Sequence, residues 1–133
     1  MIRIDDELSI KGRAVAAILW YKNPNNENRE YTEEILMTQR HTWMRIFPGY
    51  HAFPGGKIEP GEEPLETLKR EIQEEVGVDL DVSKAIYHGI ATTPRTHPYR
   101  YQTHYYSLEL TLAQKTTISS NLQNWVDHPE FAS

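Results

Sequence analysis

Apolar residues follow several spacings along the chain, and each spacing predicts an element. "RAVAAILWY" (13–21) is an unbroken apolar run. It is short and rich in strand formers, so it predicts a strand buried on both faces. "NPNNENRE" (23–30) is polar and predicts a loop. "EILMTQR" (34–40) predicts a second strand, the hairpin partner of the first. "FPGYHAFPGG" (47–56) is loop chemistry. From Glu63 to Val76 the period becomes helical. Leu65, Leu68, Ile72 and Val76 form the expected buried stripe. Pro64 suits the first turn, where its missing N–H costs nothing, and Gly77 is placed as the C-terminal cap. "KAIYHGIATT" (84–93) and "YRYQTHYYSLELTL" (99–112) predict strands, and "AQKTTISSNLQN" (113–124) a loop. "WVDHPEF" (125–131) predicts a short strand entering a helix. Strands on both sides of one firm helix predict an α/β or α+β domain with a mixed sheet.

The 133 residues suffice for one domain, expected to span 1–133 alone or as the N-terminal part of a longer protein. The chain has no cysteine, which removes disulfides and thiolate chemistry and suits a reducing cytoplasm, the expected location. No apolar run approaches the roughly 20 residues of a membrane span, and "MIRIDDELS" has no apolar core of a signal peptide, so no membrane partner is expected. A net charge of −5 argues against nucleic acid as a partner. The charge is unevenly distributed. Residues 55–78 carry seven glutamates against Lys57, Lys69 and Arg70, a net of −4, whereas residues 82–126 carry Lys84, Arg95, Arg100 and Lys115 against Glu109, a net of +3. An acidic stretch beside a basic one suits a metal-bridged anionic substrate. A solvated acidic helix with scattered charge elsewhere gives the same totals.

"REIQEEVG" (70–77) makes that choice sharper. Glu71, Glu74 and Glu75 are three and four residues apart, on one helical stripe, where like charges cost a few tenths of a kcal/mol per pair. A hard divalent cation would remove the cost, because closely spaced carboxylates offer it an oxygen cage. Arg70 can hold a neighbouring carboxylate with its planar fork, and Glu62 is the expected partner from the preceding loop. A glycine at 56 lets backbone approach a ligand or metal.

The stretch "GKIEPGEEPLETLKREIQEEVGV" (56–78) meets every position of the pattern G-x5-E-x7-R-E-(apolar)-x-E-E-x-G-(apolar), and on it the chain resembles the Nudix hydrolase family. "AVAAILWY", "EILMTQR", "AFPGG" and Trp125 are similar to features that flank this box in the family. The resemblance implies a mixed β-sheet sandwiched between helices. It also implies hydrolysis of a nucleoside diphosphate linked to another group X, with Mg²⁺, or Mn²⁺ in its place, as cofactor. By the same resemblance Glu71, Glu74, Glu75 and the carbonyl of Gly56 are metal ligands, and Arg70 and Glu62 are the pair that props them. The base is expected within the box, at Glu71 or Glu74, because the loop 113–124 holds no acid and Glu109 falls inside a strand. Glu71, next to Arg70, is preferred, with His97 as the fallback.

The identity of X is less legible. Tyr99, Tyr101, Thr103 and Tyr105 alternate with Arg100, Gln102, His104 and Tyr106, which suits either base stacking or cross-strand packing. Arg40, His51, Arg95 and Arg100 are the candidate substrate contacts. "MRIFPGYHAFPGG" and "TTP…YRYQTHYY" also resemble a branch that contains coenzyme A and acyl-coenzyme A diphosphatases, although that branch's fuller upstream pattern is not clearly present. Nucleotide sugars and ADP-ribose are equally open. A nucleotide-sensing domain without catalysis is the rival class, and the intact box carboxylates speak against it. The family's closing C-terminal helix is expected to be short or missing after Val126, which points to cover from a homodimer or from a further domain.

Overall fold

A computed structural model describes residues 10–25, 30–39, 51–93, 100–118 and 123–127. Its elements run β1 (Ile10–Asn25), β2 (Glu30–Gln39), β3 (His51–Ala52), β4 (Gly55–Lys57), α1 (Pro64–Val76), a 3₁₀ turn (Val82–Lys84), β5 (Ile86–Thr92), β6 (Arg100–Glu109), α2 (Leu112–Ile118) and β7 (Gln123–Asp127). The sheet is mixed. Its main path is β3-β2-β1-β6-β5, with β4 paired to β1 and β7 to β2. The β1–β6 pair is parallel, and the other pairs are antiparallel.

The apolar run at 13–21 is the centre of β1, which is longer than expected and is flanked on both sides by other strands. Val15, Ala17 and Leu19 are buried and pack with Leu68, Ile72 and Val76 of α1, joined by Leu36, Leu108 and Ile118. Burying an aliphatic side chain of this size is worth about 1.5–3 kcal/mol, so this stripe is what docks the helix. The expected stripe is corrected at one position. Leu65 is 40% exposed, and Thr67 is fully buried in its place. The reason is polar: the Thr67 hydroxyl donates to Glu62 Oε1 at 3.0 Å, which turns that side of the first helical turn inward. Gly77 ends the helix at φ 80°, a left-handed geometry that favours glycine, with its N–H donating to Gln73 O and Ile72 O.

Two further expectations are corrected. The polar stretch 23–30 is not wholly loop, because β1 runs to Asn25 and β2 starts at Glu30. The stretch 113–124 is not wholly loop either: α2 spans Leu112–Ile118, and β7 starts at Gln123. Ile118 is its buried anchor, and Lys115 reaches across to Glu34 and lies 4.8 Å over the ring of Tyr21. Since Tyr21 and Glu34 face each other on the side of the sheet that carries Leu19, both described helices occupy one face. The expected turn of the chain into a helix after β7, and the question of a closing C-terminal helix, lie outside the described residues. No described helix is long and apolar enough to cross a membrane.

Candidate active site

β4 is three residues long, and its position follows from its glycines. Gly55 and Gly56 pair with Ala16 and Val15 of β1. A Cβ at Gly55 would stand 2.1 Å from Val15 O, and one at Gly56 would stand 2.4 Å from Cδ of Glu71. At Gly55 the obstacle is backbone and no side chain fits, and at Gly56 the end of the Glu71 side chain would have to move; β4 therefore lies flush on β1, and the Glu71 carboxylate lies against β4. Pro54 O accepts from Ala17 N at 2.7 Å and Arg13 O from Ile58 N at 2.8 Å, which pins both ends of the segment.

Arg70 organises the carboxylates around it. Its Nε and one terminal nitrogen donate to Oε2 and Oε1 of Glu62, both at 2.8 Å, a bidentate pair. The other terminal nitrogen donates to Glu71 Oε1 at 2.8 Å and to Glu74 Oε2 at 3.3 Å. A further bond reaches Lys57 O at 3.2 Å. Like charges on the stripe are therefore tolerated in part because one guanidinium sits among them. Glu62 is held at about 2, first by its bond to Arg70 and then by the backbone N–H of Glu59. Glu71 departs in the opposite direction. Burial raises its pKa, and the charge of Arg70 opposes the rise. Glu75 is held from the β4 side, where Gly55 N donates to its Oε2 at 2.8 Å.

The structure thus brings together Gly56, Glu62, Arg70, Glu71, Glu74 and Glu75. Among the described residues no three acidic or imidazole groups converge as a metal cage. The carboxylates engage Arg70 and the Gly55 N–H instead. The donor chemistry still fits a hard cation: it is all oxygen, and a carboxylate offers about four lone-pair sites, which these bonds do not exhaust. Of the other candidates, Arg40, Arg95 and His97 lie outside the described residues. His51 enters β3 by its backbone, opposite Gln39. Arg100 is buried at the start of β6, where its Nε donates to Thr93 O at 3.0 Å.

Sequence reasoning missed a cavity of about 720 Å³ on the second face of the sheet, where no described helix lies. Ile18 and Trp20 of β1, Glu33 and Ile35 of β2, and Tyr105 and Ser107 of β6 line it, together with Phe53 and residues of β5. The signal was present as alternation: these are the partners on β1, β2 and β6 that point away from the core side chains. Phe53, edge-on to Tyr105 at 6.4 Å, is two residues before Gly55, which holds Glu75. One short segment therefore joins the cavity to the carboxylates.

Residues 12–132 match the NUDIX domain, and the chain belongs to that family. It is 36% identical over 89 residues to the U8 snoRNA-decapping enzyme of Xenopus laevis, a match covering 64% of this chain and 41% of that protein. It is 41% identical over 49 residues to Nudix hydrolase 3 of Caenorhabditis elegans, covering 37% of this chain and 20% of that protein. The matched stretches are thus less than half of these relatives' lengths. Among solved structures, a mutT/nudix family protein from Listeria innocua shares the fold with a TM-score of 0.68 at 18% identity, over 91% of this chain and 81% of that one.

Proposed function

We propose that this chain is a Nudix pyrophosphohydrolase that cleaves the diphosphate of a nucleoside diphosphate linked to a second group X. The observation that carries the proposal is the Arg70–Glu62 pair, which fixes Glu71 and Glu74 on one stripe against Gly56, one short segment away from an aromatic cavity. The nucleoside occupies the cavity, and the diphosphate lies along the stripe. Glu71, Glu74, Glu75 and the Gly56 carbonyl would hold Mg²⁺, or Mn²⁺ in its place. A divalent cation there supplies charge neutralisation of the diphosphate and a more acidic water.

Glu71 is the base. Its raised pKa favours proton acceptance, and Arg70 keeps the carboxylate oriented. As water attacks phosphorus, its proton passes to Glu71, the new P–O bond forms, and the bridging P–O bond breaks with its electrons on the leaving phosphate. Most of the rate comes from positioning and charge stabilisation. Arg70 acts through Glu71 and Glu74, and Glu62 acts through Arg70.

The test is product release from nucleotide sugars, ADP-ribose and coenzyme A, with Mg²⁺ and with EDTA. Hydrolysis with metal that disappears with chelator is the expected result. Full activity in EDTA overturns the metal assignment, and no hydrolysis of any diphosphate overturns the reaction class.

A further inference from the structure

Among the described residues, the cavity on the second face of the sheet has a single acid in its wall, Glu33 of β2. Around it, Trp20, Phe53 and Tyr105 supply rings, and Ile35 supplies apolar surface. The imidazole of His88 is already engaged with the Ser107 hydroxyl at 2.6 Å. The Glu33 carboxylate makes no hydrogen bond or ion pair with any described residue; its backbone belongs to the β1–β2 ladder. Its neighbour across the strand pair is Lys22.

An ionised carboxylate can only accept, through two oxygens side by side. Leaving it dehydrated and without donors is costly, so a ring that enters this cavity must turn donors toward Glu33. The nucleobases differ on this point. The guanine edge carries two adjacent donors, N1–H and the exocyclic amino group. Adenine and cytosine set a ring acceptor beside their amino group, which repels one carboxylate oxygen. In uracil one N–H stands between two carbonyls, which repel both. The aromatic walls stack any of these rings without preference.

We infer that Glu33 is a specificity-determining residue that selects guanine as the base of the substrate. The inference rests on the proposal that the cavity holds the nucleoside. A correct bidentate pair discriminates by about 1–3 kcal/mol, which is roughly fivefold to 150-fold.

Calorimetric binding of GMP, AMP, CMP and UMP tests the inference independently of turnover. Wild type is expected to bind GMP at least about fivefold more tightly than the others. Glu33→Gln is expected to erase most of that preference by weakening GMP alone, and Trp20→Ala to weaken all four alike. Equal binding of GMP and AMP by wild type, or a preference that survives Glu33→Gln, overturns the inference. If Glu33 serves only the sheet, through its pairing with Lys22, the substitution lowers thermal stability and leaves the preference intact, which overturns it too. The same four bases offered as nucleoside diphosphate glucose with Mg²⁺ separate the two proposals. Guanine-selective binding without turnover of any of them overturns the hydrolase and leaves Glu33 standing. Equal turnover of all four overturns Glu33 and leaves the hydrolase standing.

Discussion

At the scale of single residues, the site depends on two side chains that differ by where they sit and not by what they are. Glu62 and Glu71 are both glutamates bonded to Arg70. One is pulled down to about 2 by a bidentate pair, and the other is pushed up by burial against β4. That divergence suits the roles proposed for them, Glu71 as proton acceptor and Glu62 as the anchor of Arg70. Glu71→Gln keeps size and hydrogen bonding but cannot take a proton, so turnover should fall by about 10²–10⁴-fold with thermal stability preserved, as steady-state kinetics and a melting curve would show. Retention of most of the turnover would move the base elsewhere, with His97 next in line. Gly56→Ala probes the other side of the same contact. Its methyl would overlap the Glu71 carboxylate. Turnover and melting temperature should both drop, and an unchanged protein would show that Glu71 can leave β4 freely.

At the scale of elements, the positions of the two helices come from different kinds of residue. α1 is held by the apolar stripe Leu68, Ile72 and Val76. α2 is only seven residues long, too short to be stable by itself, and it carries a reciprocal cap. Thr111 N donates to Gln114 Oε1 at 2.8 Å, and Gln114 N donates to Thr111 Oγ1 at 3.2 Å. This Thr-x-x-Gln pattern overlaps the start of the stretch 113–124 that was read as loop, and no apolar periodicity follows it to mark a helix. Thr111→Ala should cost about 1 kcal/mol, or roughly 3–5 °C in melting temperature, measured by circular dichroism. A loss near zero would show that Ile118 and the Lys115–Glu34 pair suffice to hold α2.

At the scale of the whole molecule, stability should respond to pH in two separate windows. His104 is buried in β6, and Arg13 donates to its Nε2 at 3.0 Å. Because a guanidinium has only donors, Nε2 is the lone-pair nitrogen, so Nδ1–H donates to the Tyr87 hydroxyl at 2.9 Å. Burial, and then the charge of Arg13, lowers the His104 pKa below its usual 6.5. As pH falls past 6.5, the unfolded chain takes up the proton before the folded one, so stability is lost on the acid side of that value. Glu62 adds a second window. Its stabilisation is complete above the ordinary 4.5 and is lost as pH falls from there toward about 2. Denaturant unfolding at stepped pH should show both declines. His104→Gln should remove the upper decline and Arg70→Ala should blunt the lower. A wild-type profile flat from pH 7.5 to 5 would count against the His104 assignment.

The box itself was legible in the chain. Carboxylates at i, i+3 and i+4 need only helical geometry to share a stripe, and Gly56, Glu62 and Arg70 stand at fixed spacings from them. The central strand β1 was equally plain, because its apolar run is short and rich in strand formers. Contacts between distant parts of the chain were not legible. That Thr67 and not Leu65 turns inward depends on Glu62 folding back over the first turn of α1. That Glu71 rises depends on β4 lying against it, and that Glu62 falls depends on its bidentate bond with Arg70. The aromatic cavity gathers residues from β1, β2 and β6, from Trp20 to Tyr105, which only the parallel β1–β6 register and the β1–β2 hairpin bring to one face. Spacing within one element is set by covalent geometry and can be counted along the chain. Burial, and with it the energy of a charge, is set by whatever strand or helix the fold lays beside it.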